Sequence, residues 1–233
     1  GVDRYAARSI LVGRRAFTVL PSVTNSVCKE RAVVDCSAEL KILRVGRPDP
    51  IKWTAWEADF AIALAQLNPA RKVTLTLVGV PPQIEFPDDV PANLTIIRKG
   101  PTESIDREYS ANSIYLHYSA IGETFGNTLA EATNAGLYVI CAMEPDWDCA
   151  PLTFLDSASS SVGTRQWLLD HVGVVESEVR EWLDSGAAGV VRHRAGLTGA
   201  EYYQRICAAT GGEQPMTPSA LRGVVRVARW NRR

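Results

Sequence analysis

No apolar run in the sequence approaches the roughly 20 residues needed to span a bilayer, so a membrane-spanning helix is not expected. Net charge is nearly absent. There are 25 Lys and Arg against 26 Asp and Glu, which argues against a chain that as a whole grips nucleic acid or an anionic surface. Metal-binding patterns are also missing. The five cysteines are odd in number and form no CxxC, and His117, His171 and His193 lie far apart. No metal site is expected, and reduced thiols in a cytoplasmic setting are the simpler reading. The opening GVDRYAARS holds no apolar leader segment, and the missing initial Met fits a fragment or a processed product. Neither the GK[ST] ending of a P-loop nor a GxGxxG fingerprint occurs, which argues against a nicotinamide dehydrogenase.

What the chain does have is short β-branched runs alternating with segments of helical period. Strands are expected at Ile42–Val45, Val73–Val78, Leu94–Ile97, Ile114–Tyr118 and Tyr138–Ala142. Helices are expected at about Ala55–Leu67, with Trp56, Phe60, Ile62 and Leu64 as the apolar face, at Ser104–Ser110, and at Phe125–Asn134 stopped by Gly136. Alternating strands and helices predict an α/β domain with a Rossmann-like parallel sheet flanked by helices. Residues 1–40 read as a lead-in with one further strand at Ala16–Leu20. Residues 41–210 read as the domain, turning helical after Pro151 at Val162–His171, Val175–Leu183 and Gly199–Ala209. Residues 211–233 read as a tail whose last sixteen residues hold five arginines.

Three segments can carry chemistry. In VGRPDPIK, Val45–Lys52, a strand ends and Arg47 and Lys52 follow. Ligands of open parallel sheets bind beyond the carboxyl ends of strands, where two cations can grip a diphosphate. Alone, such an arginine is more often a solvated turn residue. In Gly122–Thr128, GETFGNT, a strand gives way to a helix whose free amides attract anions. Gly126 lets a phosphate close to the backbone, and Thr128 offers a hydroxyl. Third, Glu123 and Glu131 stand eight residues apart, just over two helical turns. One carboxylate can accept from a hexose and the other from a ribose. Taken singly, each reads as a capping or solvated residue.

Together and in this order the segments resemble the retaining GT-B glycosyltransferases of family 4. GRPDPIK is similar to the GR-x4-K segment of that family. SAIGETFGNTLAEATNAGLYVI is similar to its Glu-x7-Glu segment, and VTLTLVG to the strand between them. The likeness runs over about Lys41–Ala142. It implies the C-terminal, donor-binding half of a GT-B fold. Arg47 and Lys52 would hold the donor diphosphate, and Glu123 the donor sugar. Phe125, Gly126, Asn127 and Thr128 would lie at the phosphate-binding helix start, with Glu131 on the ribose. Arg98, Lys99 and Gly100 would sit beside the nucleobase, largely through backbone. Arg47, Lys52 and Glu123 are the residues implied in catalysis.

The departures are specific. Trp53 stands where the family usually has Gly, and MEPDWDCAPL replaces the usual Gly-rich turn. Asp146 and Asp148 imitate a metal-binding DxD that belongs to another fold, so they read as an acidic loop. The resemblance further implies an N-terminal acceptor-binding domain, which residues 1–40 are too short to supply. The expected partners are therefore a nucleotide sugar and that domain, on the same polypeptide or another chain. No cofactor and no nucleic acid are expected. Two other readings stay open: a non-catalytic binding or scaffold module, and a sugar-nucleotide epimerase of like architecture.

Overall fold

In the computed structural model, the described residues are 39–118, 126–143, 155 and 157–187, and all belong to one compact unit. The lead-in strand at Ala16–Leu20, the helix at Gly199–Ala209, the tail 211–233 and the Asp146–Asp148 loop lie outside them.

Six parallel strands are described: β1 (Glu39–Val45), β2 (Lys72–Val78), β3 (Leu94–Lys99), β4 (Ile114–His117), β5 (Tyr138–Ala142) and β6 (Ser160–Gly163). Their order is β3-β2-β1-β4-β5-β6. The five expected strands are present. The sixth falls where helix was expected, in Val162–His171: β6 occupies Ser160–Gly163, and the helix begins only at Arg165. SSVG has too little apolar character to announce a strand. It forms one because Val139–Ala142 of β5 offers it a parallel partner over four residues.

The strands sort their side chains by alternation. Leu40 and Ile42 of β1, Val73, Leu75 and Leu77 of β2, Ile114 and Leu116 of β4, and Tyr138 and Ile140 of β5 build the core on one face. There they meet α1 (Trp56–Leu67), α4 (Arg165–Asp170) and α5 (Val172–Asp184), through Phe60, Leu168 and Val179 among others. Leu43, Tyr115, Val139 and Cys141 face the other way, against α2 (Ile105–Ala111) and α3 (Asn127–Asn134). Burial on both faces explains the near-continuous apolar runs of the central strands. On α1, Trp56, Phe60 and Leu64 are buried as expected, whereas Ile62 is half-buried and the charged Glu57 is buried. Gly136 adopts a left-handed φ of 68° just past the α3 C-cap, the conformation a glycine stop requires.

This order sets the site. From β1 the chain moves outward to β2 and β3, then returns to β4 on the other side of β1. The switch point lies between β1 and β4, and open parallel sheets take their ligands beyond the carboxyl ends of the strands at such a point. Val45 and His117 end those two strands.

Candidate functional site

The segment leaving β1 is built to be rigid. Gly46 N–H extends the sheet ladder by donating to Val78 O at 3.0 Å. Asp49 then caps a 3-10 turn at Pro50–Lys52, its carboxylate accepting from Ile51 N–H. Pro50 suits the first position, because its fixed φ matches the turn and no amide is lost there. The Trp53 indole folds back beneath the loop. Its Nε1 donates to Arg47 O at 2.7 Å, and its ring lies where a Cβ on Gly46 would stand, 2.9 Å away. Gly46 is thus required by close approach rather than by φ. Arg47 is exposed on this loop, while Lys52 is half-buried.

Opposite stands the start of α3. Its N-cap is Gly126, with φ +76° and no side chain to satisfy the first-turn amides. A Cβ there would also meet Leu129 Cδ1 at 2.8 Å. Asn127 is exposed. Thr128 is half-buried, and its carbonyl accepts from Tyr109 Oη at 3.3 Å. Glu123 and Phe125, the remaining members of the segment, lie outside the described residues.

Sequence reasoning missed what joins these halves. Arg44, next to last on β1, is fully buried. Its Nε pairs with Glu57 Oε1 at 3.3 Å. One terminal nitrogen donates to Val45 O and approaches Tyr115 Oη at 3.4 Å and His117 Nδ1 at 3.3 Å. The other donates to both Lys52 O at 3.0 Å and Tyr118 O at 2.8 Å. All five guanidinium hydrogens thus have acceptors. The cation also lies 5.0 Å from the centroid of the Trp53 ring. Glu57 is completed by Thr54 Oγ1, which donates to its other oxygen at 2.9 Å. Burial pushes the Glu57 carboxyl up, against the opposing pull of Arg44. His117 is held well below its ordinary value by burial, and then by Arg44 and Lys52, so it stays neutral. With Nδ1 accepting from Arg44, the ring proton belongs on Nε2. A signal was present: an arginine in the apolar strand ILRV and a glutamate in the buried face of α1.

Glu131 sits half-buried on α3, its Oε2 accepting from Tyr109 Oη at 3.0 Å. Burial raises its carboxyl; the Tyr109 bond opposes the rise and Asp106 adds to it. Lys99 ends β3, and both Glu108 oxygens lie 2.9 Å from its Nζ. Its carbonyl accepts from Gly79 N–H, while Gly100 beyond it has open space on its Cβ side. Arg98 donates to Pro81 O and stacks on Phe86. Arg165, at the start of α4, lies 4.5 Å over the Tyr118 ring, which places one more cation beside the end of β4. Among the described residues no group of three or more His, Cys, Asp or Glu could hold a metal ion, and no helix is long and apolar enough to cross a membrane.

No family model matches the chain, and no curated protein matches it. Solved structures do. WaaG, a glycosyltransferase involved in lipopolysaccharide biosynthesis, matches with a TM-score of 0.55 at 15% identity, over 86% of this chain and 58% of its own. TarM matches at 0.50 and 15%, over 91% and 38%. Anabaena Alr3699/HepE in complex with UDP and glucose matches at 0.50 and 17%, over 74% and 48%. The chain spans less than two thirds of the length of each. At such identities the likeness speaks for the fold, and that fold is the Rossmann-like α/β arrangement found in part of the GT-B glycosyltransferases.

Proposed function

We propose that this chain is the donor-binding part of a retaining, metal-independent glycosyltransferase of the family 4 kind, taking a nucleoside-diphosphate sugar. One observation carries the reading. The Arg47–Lys52 loop follows β1 and the uncapped start of α3 comes after β4, the two strands that are neighbours at the switch point. Cations on one side and free helix amides on the other suit a diphosphate between them. The solved structure of a like fold with UDP and glucose supports the same ligand class.

In this reading Arg47 and Lys52 bind the diphosphate, and the amides from Phe125 to Thr128 complete its cradle. Glu131 takes the ribose, and the backbone at Lys99 and Gly100 borders the base. Glu123 takes the donor sugar. As the sugar–phosphate bond breaks, charge builds on the leaving β-phosphate. Fixed cations and dipoles stabilise that charge without a metal or cofactor. An acceptor-binding domain, on the same polypeptide or another chain, would orient the attacking hydroxyl and exclude water. The setting proposed is the cytoplasm.

The test is calorimetric titration of UDP, GDP, ADP and their nucleosides into the chain, Arg47→Ala and Lys52→Ala. Losing a charge-assisted bond costs about 1.5–3 kcal/mol, or roughly 10–100-fold in affinity. That loss is expected for the diphosphates and not for the nucleosides. Equal losses for both would overturn the diphosphate assignment. A chain that binds a nucleotide sugar and, with its acceptor domain supplied, converts it without any acceptor would be an epimerase instead. One that binds but never turns over would be a scaffold.

A further inference from the structure

We propose that Arg44 is a positioning residue for diphosphate binding: it ties the Lys52 segment to the end of β4, so that the Lys52 side chain is held toward the ligand. The inference rests on the donor-site reading above.

A single terminal nitrogen of Arg44 donates to Lys52 O and to Tyr118 O. Those carbonyls belong to the two segments that leave the sheet on either side of the switch point. The switch-point ends of parallel strands are splayed by design, since β1 and β4 pair only over Ile42–Leu43 with Ile114–Tyr115. Beyond Leu43, no further pairs of that ladder fix the separation of the two ends. Tyr115 Oη donates to Val45 O at 3.2 Å, and Arg44 adds the tie that reaches the Lys52 loop. It bonds Val45 O as well, so the last residue of β1, the loop and the β4 exit are held by one rigid fork.

The fork is itself oriented. Glu57 from α1 takes its Nε, Thr54 holds the Glu57 carboxylate, and Trp53 flanks the cation. An arginine used only to balance Glu57 would need one edge of its guanidinium. Here one terminal nitrogen is spent on Lys52 O and Tyr118 O, and the other on Val45 O beside Tyr115 and His117. A lysine cannot substitute, because one ammonium cannot reach Glu57 and the two carbonyls together.

The experiment titrates the tightest-binding of UDP, GDP and ADP, and its nucleoside, into the chain, Lys52→Ala, Arg44→Lys and the double variant. Arg44→Lys should lower diphosphate affinity at least about tenfold and change nucleoside affinity less than about twofold. In the Lys52→Ala background, Arg44→Lys should add less than about twofold, because the two act through one contact. Equal loss for both ligands, or losses that multiply in the double variant, would overturn the positioning role. If Lys52→Ala alone spares diphosphate binding, the donor-site reading fails instead, so the two failures are separable. Should Arg44→Lys not fold, Thr54→Val frees one oxygen of Glu57 while keeping the ion pair. The same selective, non-additive loss is expected from it on a smaller scale, about threefold, and an equal or multiplying loss again overturns the proposal.

Discussion

Trp53 Nε1 donates to the Arg47 carbonyl at 2.7 Å while the indole ring backs Gly46, so the loop bearing Arg47 closes on an aromatic anchor one residue past its own end. Trp53→Phe keeps most of the apolar area and loses the bond, for a cost of about 1 kcal/mol. Trp53→Gly removes a buried side chain and should cost about 3–5 kcal/mol. Urea unfolding of both variants measures this. A Trp53→Gly chain as stable as the parent would show that the loop holds its shape without the indole.

Three glycines near the site should rank by what a methyl would meet. At Gly79 the backbone is left-handed, with φ +81°, and a Cβ would stand 2.1 Å from Gly46 O. At Gly46 it would meet the Trp53 ring at 2.9 Å, and at Gly100 nothing lies within 4 Å. Alanine should be near neutral at Gly100, within about 0.5 kcal/mol. It should cost about 1–3 kcal/mol at Gly46 and more at Gly79. Thermal melts in that order test the ranking, and a Gly79→Ala chain melting with the parent would refute it.

The parts of this fold that could be read from sequence are those with simple periodicity. LKILRV, VTLTLV and YVIC are apolar runs long enough to mark buried strands, and Gly136 marks the end of α3. The sixth strand, SSVG, is set by pairing with β5, a long-range effect that no local pattern carries. The site divides the same way. Arg47 and Lys52 were visible because they sit in a loop after a strand, where charge has a ready use. Arg44 and Glu57 were harder to read for the opposite reason. Thirteen residues separate them, and each hides in an apolar segment as an isolated charge whose partner only the fold reveals.

Glu57→Gln should be strongly destabilising. It leaves the Arg44 cation buried without its counter-charge, and breaking a buried pair costs about 3–5 kcal/mol. Replacing both partners, as Arg44→Met with Glu57→Leu, should recover part of that stability, because no charge is then left stranded. Chemical denaturation of the single and double variants checks it. A double variant no more stable than Glu57→Gln would mean that the bonds from Arg44 to Lys52 O and Tyr118 O, rather than charge balance, dominate.

His117 should make stability fall in mild acid. Its folded-state proton affinity is depressed by burial, with Arg44 and Lys52 adding, and the Tyr115 ring stacks on it. A group with a depressed folded value contributes stability that is present above the ordinary histidine value of about 6.5 and is lost as pH falls below it. His117→Gln should flatten that part of the urea-stability profile. An unchanged slope in the variant would assign the acid sensitivity to other groups.

Glu131 should make nucleoside binding depend on pH in the opposite sense to its effect on folding. Tyr109 already donates to Oε2, and in the proposed function Oε1 is the acceptor for a ribose hydroxyl. Burial raises the carboxyl above its ordinary 4.5, with Asp106 adding to the rise. A raised folded value contributes stability present below that ordinary value and lost as pH climbs through the raised one. The ionised form is the better acceptor, so nucleoside affinity should instead grow over the same climb. Glu131→Gln should abolish the pH dependence and lower nucleoside and diphosphate affinity alike, by about tenfold. Tyr109→Phe frees Oε2 while relaxing the carboxylate, and should cost less than Glu131→Gln at neutral pH. Titrations of nucleoside and nucleoside diphosphate between pH 5 and 8 measure all three chains. If Glu131→Gln weakens the diphosphate and spares the nucleoside, the carboxylate does not face a ribose, and α3 would hold its ligand by the helix start alone.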